Sequence, residues 1–122
     1  MELKTILNQL KYEADYLSLR EMRTKVRSQS VRNEVFDGFY EGEDCGIMVE
    51  VMIDGHFGYA ATDERNVSSI QHAVKRAESL AKMSKRYSLT TFSMKERPVM
   101  TGEYVYPHQK AYEEYNTSEM YQ

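Results

Sequence analysis

Gly46-Ile-Met-Val-Glu-Val-Met-Ile-Asp-Gly-His-Phe-Gly-Tyr-Ala-Ala-Thr62 decides the fold. Asp54-Gly55 is a hairpin signal, because a type I′ turn needs positive φ at both central residues. Ile47, Val49, Val51 and Ile53 alternate with Met48, Glu50 and Met52, the period of a strand with two different faces. A two-residue loop at Asp54-Gly55 pairs Ile53 with His56, Met52 with Phe57, Val51 with Gly58 and Val49 with Ala60. Gly58 and Ala60 then complete the aliphatic face and are small enough to let a helix come close. The opposite face carries Met48, Glu50, Met52, Phe57, Tyr59 and Ala61. It is too apolar to be left in water and too mixed for a central core.

The covering helix follows at once. Val67, Ile70, Val74, Ala77, Leu80, Ala81 and Ser84 trace one stripe of a helix from about Val67 to Arg86, and Asn66 is placed to cap it. Glu78 precedes Lys82 by four residues, the favourable order for a helical pair. Lys82, Lys85 and Arg86 suit the negative end of the helix dipole.

Working outward to the N-terminus, Leu3, Ile6, Leu7 and Leu10 predict a first helix over about Glu2 to Ala14. From Tyr16 the pattern is strand-like but changes phase: Leu17 and Leu19 share one parity, Met22, Thr24 and Val26 the other. That predicts a β-bulge near Arg20 or Glu21, or two short strands joined by a kink. Arg20, Arg23, Lys25, Arg27 and Arg32 concentrate positive charge without interleaved aromatics, which suits a solvated strand protected from edge pairing better than a nucleic-acid surface. Ser28-Gln29-Ser30 reads as a turn, Val31 to Phe36 as a second strand, Asp37-Gly38 as a further turn, and Glu41 to Asp44 as an acidic loop without calcium-loop spacing.

Past Tyr87 the composition shifts. Both prolines, Pro98 and Pro107, lie there, and six of the ten tyrosines lie from Tyr87 to Tyr121. Ser88 to Met94 is a candidate short strand and Lys110 to Tyr115 a candidate helical turn. This segment is too apolar for a flexible linker and needs something to lie against. Residues 1–88 are therefore expected to form an α+β domain and residues 89–122 an extended connecting segment. The expected sheet is mixed or antiparallel, of about four strands, with two helices packed on one face and a Tyr/Pro-rich C-terminal segment.

The chain has 122 residues, 41% hydrophobic and 29% charged, with a net charge of −3, so it carries no general attraction for nucleic acid or anionic membranes. One cysteine forms no internal disulfide, and no apolar run spans a bilayer, which makes the cytoplasm the expected location. There is no His-Glu-x-x-His pair, Gly-x-Ser-x-Gly elbow, phosphate-binding loop or Cys-x-x-Cys. His56, His72 and His108 stand apart from one another in the sequence. Cys45 is expected to be an inert buried thiol on the aliphatic side, with acidic Glu43 and Asp44 where a reactive thiolate wants a cation. No catalytic, metal-binding or cofactor-binding residue emerges.

Glu13-Ala-Asp-Tyr-Leu-Ser-Leu-Arg20, the stretch from Gly46 to Thr62, and Ala73, Ala77 and Ala81 together resemble the N-terminal domain of the TldD/PmbA family, also described as modulators of DNA gyrase or peptide-maturation proteases. The resemblance covers about Leu3 to Arg86, and Arg97-Pro98 onward is similar to the family's passage towards its next domain. Ser28-Gln29-Ser30 departs from the Asn-Gly turn that commonly joins the family's first two strands. The resemblance implies a cytoplasmic zinc metallopeptidase whose metal-binding histidines lie downstream. This chain would then be a fragment or a naturally short relative, inactive alone, with zinc held elsewhere. The expected function is that of a non-catalytic domain that shapes substrate access and domain or subunit contacts, in a homo- or heterodimer acting on peptide. Met48, Glu50, Met52, Phe57, Tyr59, Tyr104 and Tyr106 are the candidate interface. The alternative is a stand-alone module that binds peptide or protein along a sheet edge. DNA binding, suggested by the gyrase name, is opposed by the net negative charge.

Overall fold

A computed structural model describes residues 2–105 and 107. Its elements run α1 (Leu3–Gln9), β1 (Tyr16–Arg32), β2 (Val35–Ile53), β3 (His56–Thr62) and α2 (Val67–Ser84), followed by a 3-10 turn at Met94–Glu96. The layout is α+β, and the sheet is antiparallel in the order β1-β2-β3, with three strands rather than four.

The β2–β3 hairpin has the register its sequence dictates: Ile53 opposite His56, Met52 opposite Phe57, Val51 opposite Gly58 and Val49 opposite Ala60. Asp54 (φ 50°) and Gly55 (φ 78°) both lie in the left-handed region that the turn demands. The tip is tied down from three sides. Asp54 N donates to Asp15 Oδ2 at 2.9 Å, Lys85 Nζ reaches Asp54 Oδ2 at 3.2 Å, and Phe92 N donates to Gly55 O at 2.9 Å.

Helix α2 lies on the aliphatic face. Its Ile70, Ala73, Val74, Ala77 and Ala81 are buried in one cluster with Ile47, Val49, Val51 and Ala60. Gly58 lets it approach: a Cβ there would meet the Ala77 carbonyl oxygen and sit 2.6 Å from Ala81 N. Asn66 caps the helix, its side chain accepting from Ser69 N at 2.8 Å. Two details of the helix differ from expectation. Leu80 is exposed, because Ala77 and Ala81 bring the backbone so close to the strand that the contact line runs through Ala73 instead. Glu78 is buried and bonds not to Lys82 but to Glu13 N (3.1 Å), with Lys75 Nζ 3.6 Å away, while Lys82 reaches Glu13.

Helix α1 places Ile6, and its C-cap Leu10, in the same cluster, so both helices serve one face of the sheet. It stops at Gln9 and does not run to Ala14. The Lys11 backbone is held in both directions by the Gln71 side chain at 2.8 Å, and Glu13 N by Glu78. Each of these side-chain partners takes backbone groups that a longer helix would have paired internally.

The largest correction concerns β1 and β2. Pairing is continuous from Tyr16 opposite Met52 to Ser30 opposite Gly38, with no bulge near Arg20 or Glu21. Ser28-Gln29-Ser30 is strand, Val31 to Phe36 spans a turn, and Glu41 to Asp44 is strand. The turn is Asn33-Glu34, with φ of 52° and 65°. The one register shift puts Asp37 as an extra residue beside Gly38, a bulge where a turn was expected. The phase change has a simpler cause than a bulge. Strand β3 ends opposite Ile47, so beyond Glu21 the two strands leave the helices' cover as a bare ribbon. There the core face turns charged (Arg23, Lys25 opposite Glu43, Arg27 opposite Glu41), and the apolar residues Met22, Val26 and Tyr40 move to the other face. Cys45 lies on this uncovered stretch and is exposed rather than buried.

After α2, residues 88–93 form no strand; they bend under the hairpin and lead into the 3-10 turn, which Ser93 and Glu96 close as a capping box. The helical turn expected over Lys110 to Tyr115 lies outside the described residues.

Candidate interface

The face opposite the helices divides into a covered end and an open one. At the covered end Met52 is 2% exposed, flanked in register by Tyr16 and Phe57. The Phe92 ring packs 5.1 Å from Phe57, and the Arg97 guanidinium lies 5.0 Å over the same ring. Arg97 Nε donates to Glu50 Oε1 at 2.6 Å, and this hydrogen bond and charge raise the Arg97 pKa above its usual value. The Ser93 hydroxyl and amide hold the Glu96 carboxyl below the usual carboxylate range. The segment after α2 is thus stitched to the sheet through Gly55, Phe57 and Glu50.

At the open end Met48 and Tyr59 are 45% and 46% exposed, and Ala61 is exposed beside them. The same face continues along the ribbon through Met22, Val26 and Tyr40, all exposed, with Gly42 and Gly46 between them. Tyr40 lies flat over Gly42, since a Cβ there would strike its ring. From Met22 to Arg32 the ribbon extends for roughly 35 Å at strand rise. The result is a row of exposed apolar side chains running from Tyr59 outward, interrupted by Arg20 opposite Met48, by Thr24 opposite Asp44 and by Ser28 opposite Tyr40.

Of the seven expected interface residues, Met48 and Tyr59 lie open on this stripe, while Glu50, Met52 and Phe57 are engaged by the chain's own residues. Tyr104 is exposed and Tyr106 lies outside the described residues. The sequence reading missed Phe92 and Arg97, which close one end, and Met22, Val26 and Tyr40, which extend the other. The parity shift at Met22 was the signal for the second group. For Phe92 and Arg97 no periodic pattern gave notice.

The ribbon's root is fixed by Glu21. Its carboxylate takes Arg65 Nε at 3.2 Å and Arg23 Nη2 at 3.2 Å, tying β1 to the loop before α2. Burial acts to raise its pKa, but the two arginines outweigh that and hold it below the usual value of 4.5. Among the described residues no three His, Cys, Asp or Glu side chains converge as a metal site. His56 is buried at the hairpin end and His72 exposed on α2, so the ligands for a zinc ion are not brought together there.

The family model for PmbA/TldA metallopeptidase domain 1 matches residues 18–81, just over half of the chain. The chain belongs to this family. The matched span runs from β1 through the ribbon and the Asp54-Gly55 hairpin to Ala81, the last helix residue packed against Gly58. No curated protein and no solved structure matches the chain. No helix among the described residues of this PmbA/TldA domain is long and apolar enough to cross a membrane.

Proposed function

We propose that this domain is the non-catalytic first domain of a zinc metallopeptidase, located in the cytoplasm, where it shapes the approach of peptide and makes domain or subunit contacts. The observation that carries this reading is the exposed apolar stripe of Met22, Val26, Tyr40, Met48 and Tyr59. A row of exposed apolar side chains with polar residues among them, on a ribbon that has left its own helices, suits contact with another protein surface. The partner is either a downstream catalytic domain or a second subunit of the same family, and zinc and its ligands belong to that catalytic part. Residues 89–122 act as the connecting segment, anchored at their start through Phe92 and Arg97. The described residues do not fit zinc, so no catalytic step is assigned to them.

Two measurements test the reading. The chain supplied with zinc should leave a fluorogenic peptide uncut; zinc-dependent cleavage would place catalysis in this chain and overturn the assignment. Sedimentation of the chain, alone and with a catalytic domain of the family, should show association that Met48→Asp and Tyr40→Asp abolish. Association untouched by both substitutions would remove the stripe from the interface.

A second reading, a peptide-binding module using a sheet edge, draws on β3, whose outer side has no strand beside it among the described residues. Peptide binding with no association to any catalytic domain would favour it.

A further inference from the structure

We infer that a cleft at the open edge of β3 is a subsite for an extended peptide, receiving one aromatic side chain; this rests on the peptide-directed role proposed above. The cleft has a volume of about 460 Å³ and opens between β3, the C-terminal end of α2 and the segment after it. Its walls are the rings of Phe57, Tyr59 and Phe92, with His56, Ser84 and Arg97 at the polar margin.

Two independent observations indicate an occupant. First, His56 lines the cleft, and its imidazole makes no hydrogen bond or ion pair with any described residue. An imidazole carries a hydrogen-bond donor and, when neutral, an acceptor, and here its nitrogens are open at the cleft rather than sealed in the core, so they are available to something that enters. Second, the backbone of β3 is unpaired on the same side. A two-residue turn makes Ile53 and His56 a hydrogen-bonded pair, and the alternation that follows turns the N–H and C=O groups of Phe57, Tyr59 and Ala61 outward. No described residue bonds to them. An extended chain laid along this edge gains ladder hydrogen bonds, while alternate side chains fall to either face.

The lining selects the side chain. Phe57 and Phe92 already pack ring to ring at 5.1 Å, and Tyr59 lies 6.2 Å from Phe57, leaving aromatic surface for a third ring. Arg97 is engaged by Glu50 and Glu96 by Ser93, so an incoming anionic side chain would go unpaired beside the carbonyl end of α2 and a cationic one unpaired beside the guanidinium. An uncharged aromatic side chain meets neither penalty. The imidazole of His56 and the hydroxyl of Ser84 are left for the peptide backbone.

The probe is a terminally blocked hexapeptide of valine and threonine with one central phenylalanine, titrated into the full chain and followed by NMR. Saturable shifts at the His56 imidazole and the Tyr59 and Ala61 amides are expected, with binding at least tenfold weaker when the phenylalanine is replaced by alanine. Ala61→Pro removes an outward N–H on an edge strand, where proline is tolerated, and should weaken binding tenfold with the melting curve retained. Phe92→Ala should remove the preference for phenylalanine. Equal binding of both peptides, binding unaffected by Ala61→Pro, shifts confined to Met22, Val26 and Tyr40, or no binding at all would each overturn the subsite. None of these results touches the accessory-domain reading, which falls only to cleavage by the chain or to loss of the stripe's role in association.

Discussion

Strands β1 and β2 are one continuous antiparallel pair, yet they lead two different lives. Between Tyr16 and Glu21 on one strand, and Ile47 and Met52 on the other, the odd-numbered face is aliphatic and lies under two helices. From Met22 and Gly46 outward that same face carries Arg23, Lys25, Arg27, Glu41 and Glu43, with Phe39 further out, while Met22, Val26 and Tyr40 sit on the reverse. The backbone register is unchanged; only the neighbours differ. Side-chain chemistry along a strand therefore reports what covers each stretch, and a switch of parity marks the edge of that cover as readily as a bulge.

The sharpest way to break the comparison is Gly58→Ala. A methyl there must enter space held by the backbone at Ala77 and Ala81, so a loss of about 3 kcal/mol is expected in denaturant unfolding, at the upper end for overpacking. Gly42→Ala on the ribbon meets only the movable ring of Tyr40 and should cost far less. Val49→Ala in the covered part should lose about 2 kcal/mol, whereas Val26→Ala on the ribbon should change stability by less than about 0.5 kcal/mol. Similar losses at Val49 and Val26 would erase the distinction.

Glu34→Gly should raise stability by about 1 kcal/mol, because Glu34 holds φ 65° in a turn position where an L side chain is strained. No gain would mean that the turn is not Asn33-Glu34. The smallest effect concerns Glu21, whose folded pKa lies below 4.5. A lowered carboxyl stabilises the fold above its unfolded pKa, and that contribution fades as pH falls through the folded value. Thermal melts should show wild type losing more stability than Glu21→Gln as pH drops below 4.5; parallel curves would deny the Arg65 link.

How much of this was legible follows the same division. The covered part was readable because local signals agreed there: Asp54-Gly55 fixed the turn, the turn fixed the register, and Asn66 with the alanine stripe fixed α2. The α1 boundary was not, since Gln71 and Glu78 end the helix from sixty-odd positions away. The ribbon misled because Asp37-Gly38 and Ser28-Gln29-Ser30 are turn-forming residues used inside strands, while the turn fell on Asn33-Glu34, which lacks the expected glycine. Met48 and Tyr59 lie exposed on the face that the alternation assigns them. That Phe92 and Arg97 would pack on Phe57, and Arg97 bond Glu50, could not be read from a stretch with no periodicity.

Residue-resolved hydrogen exchange tests the central claim most directly. The amides of Ile47, Val49 and Val51 should exchange only through global unfolding, while the alternate amides of Met22, Thr24, Val26, Ser28 and Ser30, which pair with β2 but are uncovered, should exchange markedly faster yet still slower than unstructured chain. Equal protection along both stretches, or an unprotected break at Arg20, would contradict a single continuous strand pair that is part core and part exposed arm.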